Sequence, residues 1–181
     1  IGFESAIGAD CWTTTRSIAA ENSPYYETGI KVGYTTANDQ LHLAFLVVNG
    51  WQRIKKPDYI QSPSVGLQLN YKANDKLTFN YSNFIGTDQP DSLHSIRTFH
   101  NVFMQYLPAR QLGLIFSFDI GTDKYNLKEY GIWYSPVLIL RYPLNEKSAI
   151  AIRGEYYGDK HQILVATNSL NGFQVSGISA N

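Results

Sequence analysis

The 181-residue sequence is poor in several things. It has one cysteine, Cys11, so it can build neither a disulfide framework nor a cysteine-based zinc site. Cys11 follows Asp10 and precedes Trp12, and Arg16 is the one cationic residue close in sequence. That setting reads as a packed or loop thiol rather than an activated nucleophile. Charge is also scarce. Only 17% of residues are Asp, Glu, Lys or Arg, and 15 basic residues balance 15 acidic ones. Without a basic field there is no electrostatic case for phosphate contact, so no nucleic-acid partner is expected. No stretch approaches the ~18 consecutive apolar residues of a membrane helix. This excludes helical membrane proteins but not barrels, which hide their apolar face in every second residue.

Catalytic signatures are missing too. There is no P-loop, no dinucleotide turn, no His-Glu-x-x-His and no Gly-x-Ser-x-Gly, so no enzyme and no cofactor is expected. His42, His94, His100 and His161 are scattered without ligand spacing, and no metal site is expected from them. The pairs Asp88/Asp91 and Asp119/Asp123 would suit a calcium loop, but turn-forming aspartates are the preferred reading.

What the sequence does have is alternation. It is 44% hydrophobic, with 13 Tyr, 9 Phe, 3 Trp and 14 Gly. Thr28, Ile30, Val32 and Tyr34 share one face of a strand, opposite Glu27, Gly29, Lys31 and Gly33. The same period runs through 41–48, 64–71, 76–82, 101–106, 112–121, 131–141, 150–156 and, more weakly, 173–179. About nine strands are visible, most near the ~10 residues of a tilted membrane strand. Connections alternate as well. Short ones lie at Ala37–Gln40, Ala73–Asp75, Pro108–Gln111 and Pro143–Lys147. Long ones lie at Gly50–Ser62, Gly86–Ser95, Thr122–Glu129 and Gly158–Asn171.

An internal repeat underlies this. Asn38, Asn74, Ala109 and Asn145 mark successive short turns at steps of 36, 35 and 36 residues. On the other rim Ile85-Gly86-Thr87-Asp88 recurs as Ile120-Gly121-Thr122-Asp123, a step of 35. Two long strands per unit fit a meander better than a propeller blade.

The polar face of these strands carries Glu27, Lys31, Gln68, Arg97, Asn101, Asp119, Arg141, Arg153 and Glu155, interspersed with Gly and Ser. Such a face suits a barrel lumen, and equally the solvent face of a soluble sheet. Tyrosines favour the first. Tyr34, Tyr71, Tyr106 and Tyr142 each sit near the short-turn end on the apolar face, while Tyr26, Tyr81 and Tyr130 lie nearer the long loops. Two bands of amphipathic rings read as membrane-interface girdles.

Several segments carry a family resemblance. Ile1-Gly2-Phe3-Glu4-Ser5-Ala6, Thr15-Arg16-Ser17-Ile18 and Glu21-Asn22-Ser23-Pro24-Tyr25-Tyr26-Glu27-Thr28-Gly29 resemble the putative β-barrel porin-2 family, OmpL-like. So do Asn49-Gly50-Trp51-Gln52-Arg53 and Asn171-Gly172-Phe173-Gln174. The resemblance covers essentially the whole chain. It implies a Gram-negative outer-membrane barrel with a pore-forming or transport role and no catalytic motif. Members are longer and close with a final strand ending in an aromatic residue, whereas this sequence stops at Asn181.

The expected fold is therefore all-β: an antiparallel up-and-down meander forming a transmembrane outer-membrane β-barrel, incomplete at its C-terminus. It forms one domain, 1–181, with 1–23 as an irregular loop or plug-like segment and 24–181 as the meander. The expected function is passive diffusion of small polar solutes through a lumen lined by the nine polar-face residues named above. Six basic residues (Lys31, Lys72, Lys76, Arg97, Arg141, Arg153) against three acidic ones (Glu27, Asp119, Glu155) would mildly favour anions. Outer-membrane lipid and small polar solutes are the expected partners, with a homo-oligomer or further strands of the same barrel as the other neighbours. Two other readings stand beside this one. The first is a structural or ligand-binding barrel with a plugged lumen, whose Trp51, Arg53 and Tyr59 would contact a sugar or partner. The second is a soluble all-β binding domain.

Overall fold

The computed structural model describes residues 2–4, 11–108 and 112–181. Nine strands form a single antiparallel sheet in strict chain order. They are β1 (Gly29–Thr35), β2 (Leu41–Val48), β3 (Ser64–Asn74), β4 (Leu77–Gly86), β5 (Arg97–Tyr106), β6 (Gly113–Lys124), β7 (Tyr130–Pro143), β8 (Ala149–Asp159) and β9 (Phe173–Ala180). Among the described residues one short helix, α1 (Ile18–Glu21), precedes them, and one 3-10 turn sits at Asp91–Leu93. The sheet is not closed: β1 pairs with β2 alone and β9 with β8 alone among the described residues.

The short turns explain the sequence repeat. In the three that lie among the described residues, an Asn side chain accepts a hydrogen bond from the backbone two residues on, which closes an Asx turn. Asn74 Oδ1 accepts from Lys76 N at 2.9 Å, Asn145 Oδ1 from Lys147 N at 2.8 Å, and Asn38 Oδ1 from Gln40 N at 3.3 Å. The fourth equivalent turn, at Ala109-Arg110, lies outside the described residues. Just before the Asn74 turn, a bulge between Lys72 and Asn74 at the end of β3 shifts the β3–β4 register.

Proline interrupts the ladder once. Pro136 sits inside β7, and the β7–β8 register skips Ser135 and Pro136. A proline has no N–H to give. Ser135 Oγ instead donates to the Tyr156 carbonyl at 2.6 Å, which satisfies the freed acceptor.

The sheet is inside-out relative to a soluble one. Its convex face is apolar and exposed: Ile30 is 70% accessible, Phe45 47%, Phe116 42% and Leu138 42%. The opposite face is polar and covered over its middle, with Ser82, Asn101, Ser117 and Ser135 fully buried. At ~3.3 Å per residue, ten-residue strands tilted by ~45° span about 23 Å, close to the apolar band of an outer-membrane barrel.

Candidate functional site

The inner face of the sheet has three levels. They differ in what covers them.

At the long-loop end the cover is aromatic. Trp51 turns in from the loop after β2 and meets Phe84 (β4), Phe99 (β5) and Trp133 (β7) edge-on. Ring centroids are 5.2–6.0 Å apart with planes at 89°. Two glycines make room. Gly50 takes φ +135°, which lets the chain reverse into the lumen, and a Cβ at Gly121 would lie 2.1 Å from the Trp133 ring. A second loop joins the layer. Asp159, fully buried, accepts hydrogen bonds from the backbone of Ile163, Leu164 and Val165 at 2.8, 2.8 and 3.1 Å. This carboxylate folds the loop over so that the three apolar side chains pack on the aromatic cluster.

Arg97 locks the same layer. Its Nη1 donates to Asp88 Oδ2 at 2.7 Å and its Nε to Asp123 Oδ2 at 2.8 Å. Its guanidinium lies 5.1 Å from the Trp51 ring centre, within cation–π range. Asp123 Oδ1 also accepts from Ser95 Oγ at 2.6 Å, and Arg53 reaches Asp88 at 3.8 Å. Asp88 and Asp123, two of the four aspartates that would suit a calcium loop, are thus spent on arginine, whereas Asp91 accepts from Gln61 N at 2.8 Å and Asp119 from Asn101 Nδ2. Beside them Glu27 is half-buried, with both carboxylate oxygens lacking a hydrogen-bond partner. Burial first, and the nearby Asp88 charge after it, push its carboxyl up to about 8.

At the middle level the cover is the segment before β1. Arg153 (β8) pairs with Glu155 at 3.0 Å and donates to Thr13 Oγ1 at 2.9 Å, to Thr15 Oγ1 at 3.0 Å and to the Thr15 carbonyl. Glu155 in turn accepts from Ile18 N at 2.7 Å. Ser17 caps α1, its Oγ accepting from Ala20 N at 3.1 Å, while Glu4 Oε2 accepts from Ser17 N and Ser17 Oγ at 2.6 and 2.7 Å. Ala19 packs on Val137 and Ile139, with Phe3, Trp12 and Ile115 around them. Beneath this segment lies a row of polar side chains. Asn101 Nδ2 donates to Asp119 Oδ1 at 2.5 Å and to Ser117 Oγ at 3.1 Å.

The short-turn level and the first strands are open. On the first strands Lys31 is exposed and its Nζ donates to Gln68 Oε1 at 3.2 Å, from β1 across to β3, with Gln68 in register with Ser82, Asn101 and Asp119. Arg141 is exposed, its guanidinium 5.9 Å from the Trp12 ring centre.

The structure therefore divides the nine lumen candidates. Lys31, Gln68 and Arg141 keep access to space inside the sheet. Arg97, Asn101, Asp119 and Arg153 are buried, and both arginines are already neutralised by carboxylates. Glu27 and Glu155 are half-buried, the latter held by Arg153 and Ile18. The four rim tyrosines Tyr34, Tyr71, Tyr106 and Tyr142 are exposed on the convex face. Tyr81 differs from a rim residue: it stands mid-strand, its hydroxyl 2.8 Å from His100 Nδ1.

The alternation did not reveal the aromatic layer, because Phe84, Phe99 and Trp133 occupy inner positions that the pattern assigns to polar residues. Their signal was their parity with Ser82, Asn101 and Ser135. Trp51, read as a loop residue able to touch a sugar or partner, is buried under the loop instead. Among the described residues no cluster of three His, Cys, Asp or Glu side chains forms a metal centre, and no helix is long and apolar enough to cross a membrane.

The family model described as putative beta-barrel porin-2, OmpL-like, matches residues 1–181, the whole chain. No curated protein and no solved structure matches.

Proposed function

The chain belongs to the putative beta-barrel porin-2, OmpL-like family, and from that premise we propose that it is the wall of a porin-type channel. Small polar solutes would diffuse passively across the outer membrane of a Gram-negative bacterium, and the segment before β1 would form an internal constriction. The observation that carries this reading is the inversion of the sheet. Ile30, Phe45, Phe116 and Leu138 are exposed on the convex face, whereas Ser82, Asn101, Ser117 and Ser135 are buried on the other. Lipid is the solvent that suits such a wall.

The mechanism needs no covalent step. Size is set by the segment seated on Arg153 and Glu155. Charge is set by the side chains still open to the lumen, which are Lys31 and Arg141, with Lys72 and Lys76 at the short-turn rim. Of the three acidic candidates on that face Asp119 is buried, Glu155 is paired with Arg153 and Glu27 is half-buried, while Asp39 and Asp75 stand exposed beside Lys72 at the short-turn rim. The proposed anion preference thus rests on Lys31 and Arg141 rather than on Arg97 and Arg153. Rings of cationic groups lower the electrostatic cost of anion entry.

A KCl gradient across a planar bilayer holding the full-length protein tests this. The expected reversal potential has the sign of anion preference, and Lys31→Glu with Arg141→Glu abolishes or inverts it. Clear cation selectivity in the unmodified protein would contradict it. The plugged-lumen reading has one observation in its favour, the polar seat of the inner segment. A protein that folds into bilayers and never conducts would fit that reading. Folding in buffer without detergent would fit a soluble domain instead.

A further inference from the structure

The convex face is not apolar throughout. On β4, β5 and β6 it carries a polar patch. Asn83 stands opposite His100, Thr98 opposite Thr122, and Tyr81 is the next outward residue along β4. Their register partners on the same face are Leu67, Ile85, Val102, Ile120 and Ile132, all 36–52% accessible. Exposed apolar residues continue on both sides of the patch, Ile96 toward the long loops and Phe79 and Phe116 toward the short turns. The patch therefore lies inside the apolar band and not at its edge.

Its hydrogen bonds form a relay. Asn83 Oδ1 accepts from Leu67 N at 2.8 Å, and Asn83 Nδ2 donates to the Tyr81 hydroxyl at 3.1 Å. That hydroxyl lies 2.8 Å from His100 Nδ1. If the hydroxyl donates to Nδ1, the neutral imidazole keeps its hydrogen on Nε2. If Nδ1 donates, the hydroxyl keeps its own. Either way one donor is left over, with no acceptor among the described residues. Two residues along β5, the Thr98 and Thr122 hydroxyls are 2.9 Å apart, share one hydrogen and keep free lone pairs.

Hydrocarbon satisfies none of these groups, and polar side chains at membrane depth face protein. Further strands would extend the sheet at β1 and β9, each three strands from the patch, and would leave this face uncovered. A second wall can cover it. The patch is complementary to itself, with its donor at the His100 end and its acceptors at the threonines. A two-fold axis between two copies sets each donor on the other copy's acceptors. Ile85 also lines a recess of about 450 Å³ with Pro63, Val65 and Ile96, which offers an apolar seat beside the hydrogen bonds.

We propose that Tyr81, Asn83, Thr98, His100 and Thr122 form the centre of an interface between two copies of this chain, side by side in the membrane. This rests on the convex face meeting lipid, and not on conduction.

Cross-linking of the full-length protein in phospholipid vesicles, at high lipid-to-protein ratio, is the test. Thr98→Cys and Ile152→Cys are each treated with a flexible bis-maleimide. Residue 152 is an exposed control on the same face of β8. The unmodified protein, whose Cys11 lies in the segment before β1, is the blank. Dimers are expected through residue 98 and not through residue 152. Adding His100→Phe to Thr98→Cys should weaken association about tenfold, because each copy loses a membrane hydrogen bond. An apolar ring of similar size suits a lipid-facing position, so this variant should fold, which the heat-dependent gel shift checks. No dimer through residue 98, equal yields at 98 and 152, or a yield unmoved by His100→Phe would each overturn the proposal. A folded, conducting protein that cross-links at neither position fails this proposal alone, whereas folding in buffer without detergent fails the wall reading.

Discussion

The two covered levels of the lumen face are held in opposite ways. At the long-loop end Trp51 enters a dry aromatic cluster and Arg97 is neutralised by two aspartates, so the cover behaves like the core of a soluble protein. At the middle level the segment around α1 sits on charge and hydrogen bonds: Arg153 to Thr13 and Thr15, and Glu155 to Ile18. Apolar burial has no substitute partner when it opens. Charged and polar groups can exchange protein partners for water if the lumen hydrates. The loop cap therefore reads as permanent architecture, and the inner segment as the part of the cover that can be displaced.

The harshest way to break this contrast is Trp51→Ala. It removes the ring that meets Phe84, Phe99 and Trp133, and an aromatic truncation of this kind costs about 3–5 kcal/mol. Urea unfolding in detergent, read by the heat-dependent gel shift, should show it. Arg153→Ala attacks the other level. Removing one partner of a fully buried ion pair costs about 3–5 kcal/mol. Here the segment can lift and let water reach Glu155, so a smaller loss of about 1–2 kcal/mol is expected, within the range for an unsatisfied polar group. The same variant should conduct more, which Trp51→Ala should not do by this route.

Glu27 offers a subtler probe at the edge of the cap. Its carboxyl is raised from 4.5 to about 8 in the folded protein. The folded state then holds a proton that the unfolded chain releases near pH 4.5, so this contribution is complete below that pH and is lost as pH rises toward 8. Glu27→Gln should flatten the fall in stability across that window, measured by unfolding at fixed pH steps. The smallest effect is expected outside both levels. Asn74→Ala deletes one Asx hydrogen bond in an exposed turn, worth about 0.5–1 kcal/mol.

The strands were legible because a period of two survives even where the inner face turns apolar. The turns were legible because Asn38, Asn74 and Asn145 repeat a local hydrogen bond that depends on nothing distant. The covers were not legible. Phe84, Phe99 and Trp133 are inner residues whose meaning depends on Trp51 arriving from a loop some 30 residues earlier than the nearest of them. Arg97 looked like a lining charge because its partners Asp88 and Asp123 lie on other elements, and no local pattern reveals a pairing made across a sheet. The same holds for Arg153, whose ligands Thr13 and Thr15 are about 140 residues away. Lys31 and Gln68 differ from these in meeting each other directly, Lys31 Nζ donating to Gln68 Oε1 across β1 and β3.

The central claim is that this inverted sheet is a channel wall whose passage is narrowed by a displaceable inner segment. Single-channel conductance of the full-length protein in planar bilayers, compared with its Arg153→Ala variant, tests it most directly. The account predicts small, stable steps for the unmodified protein and larger or noisier ones for the variant. A folded, inserted protein that conducts in neither form would contradict it.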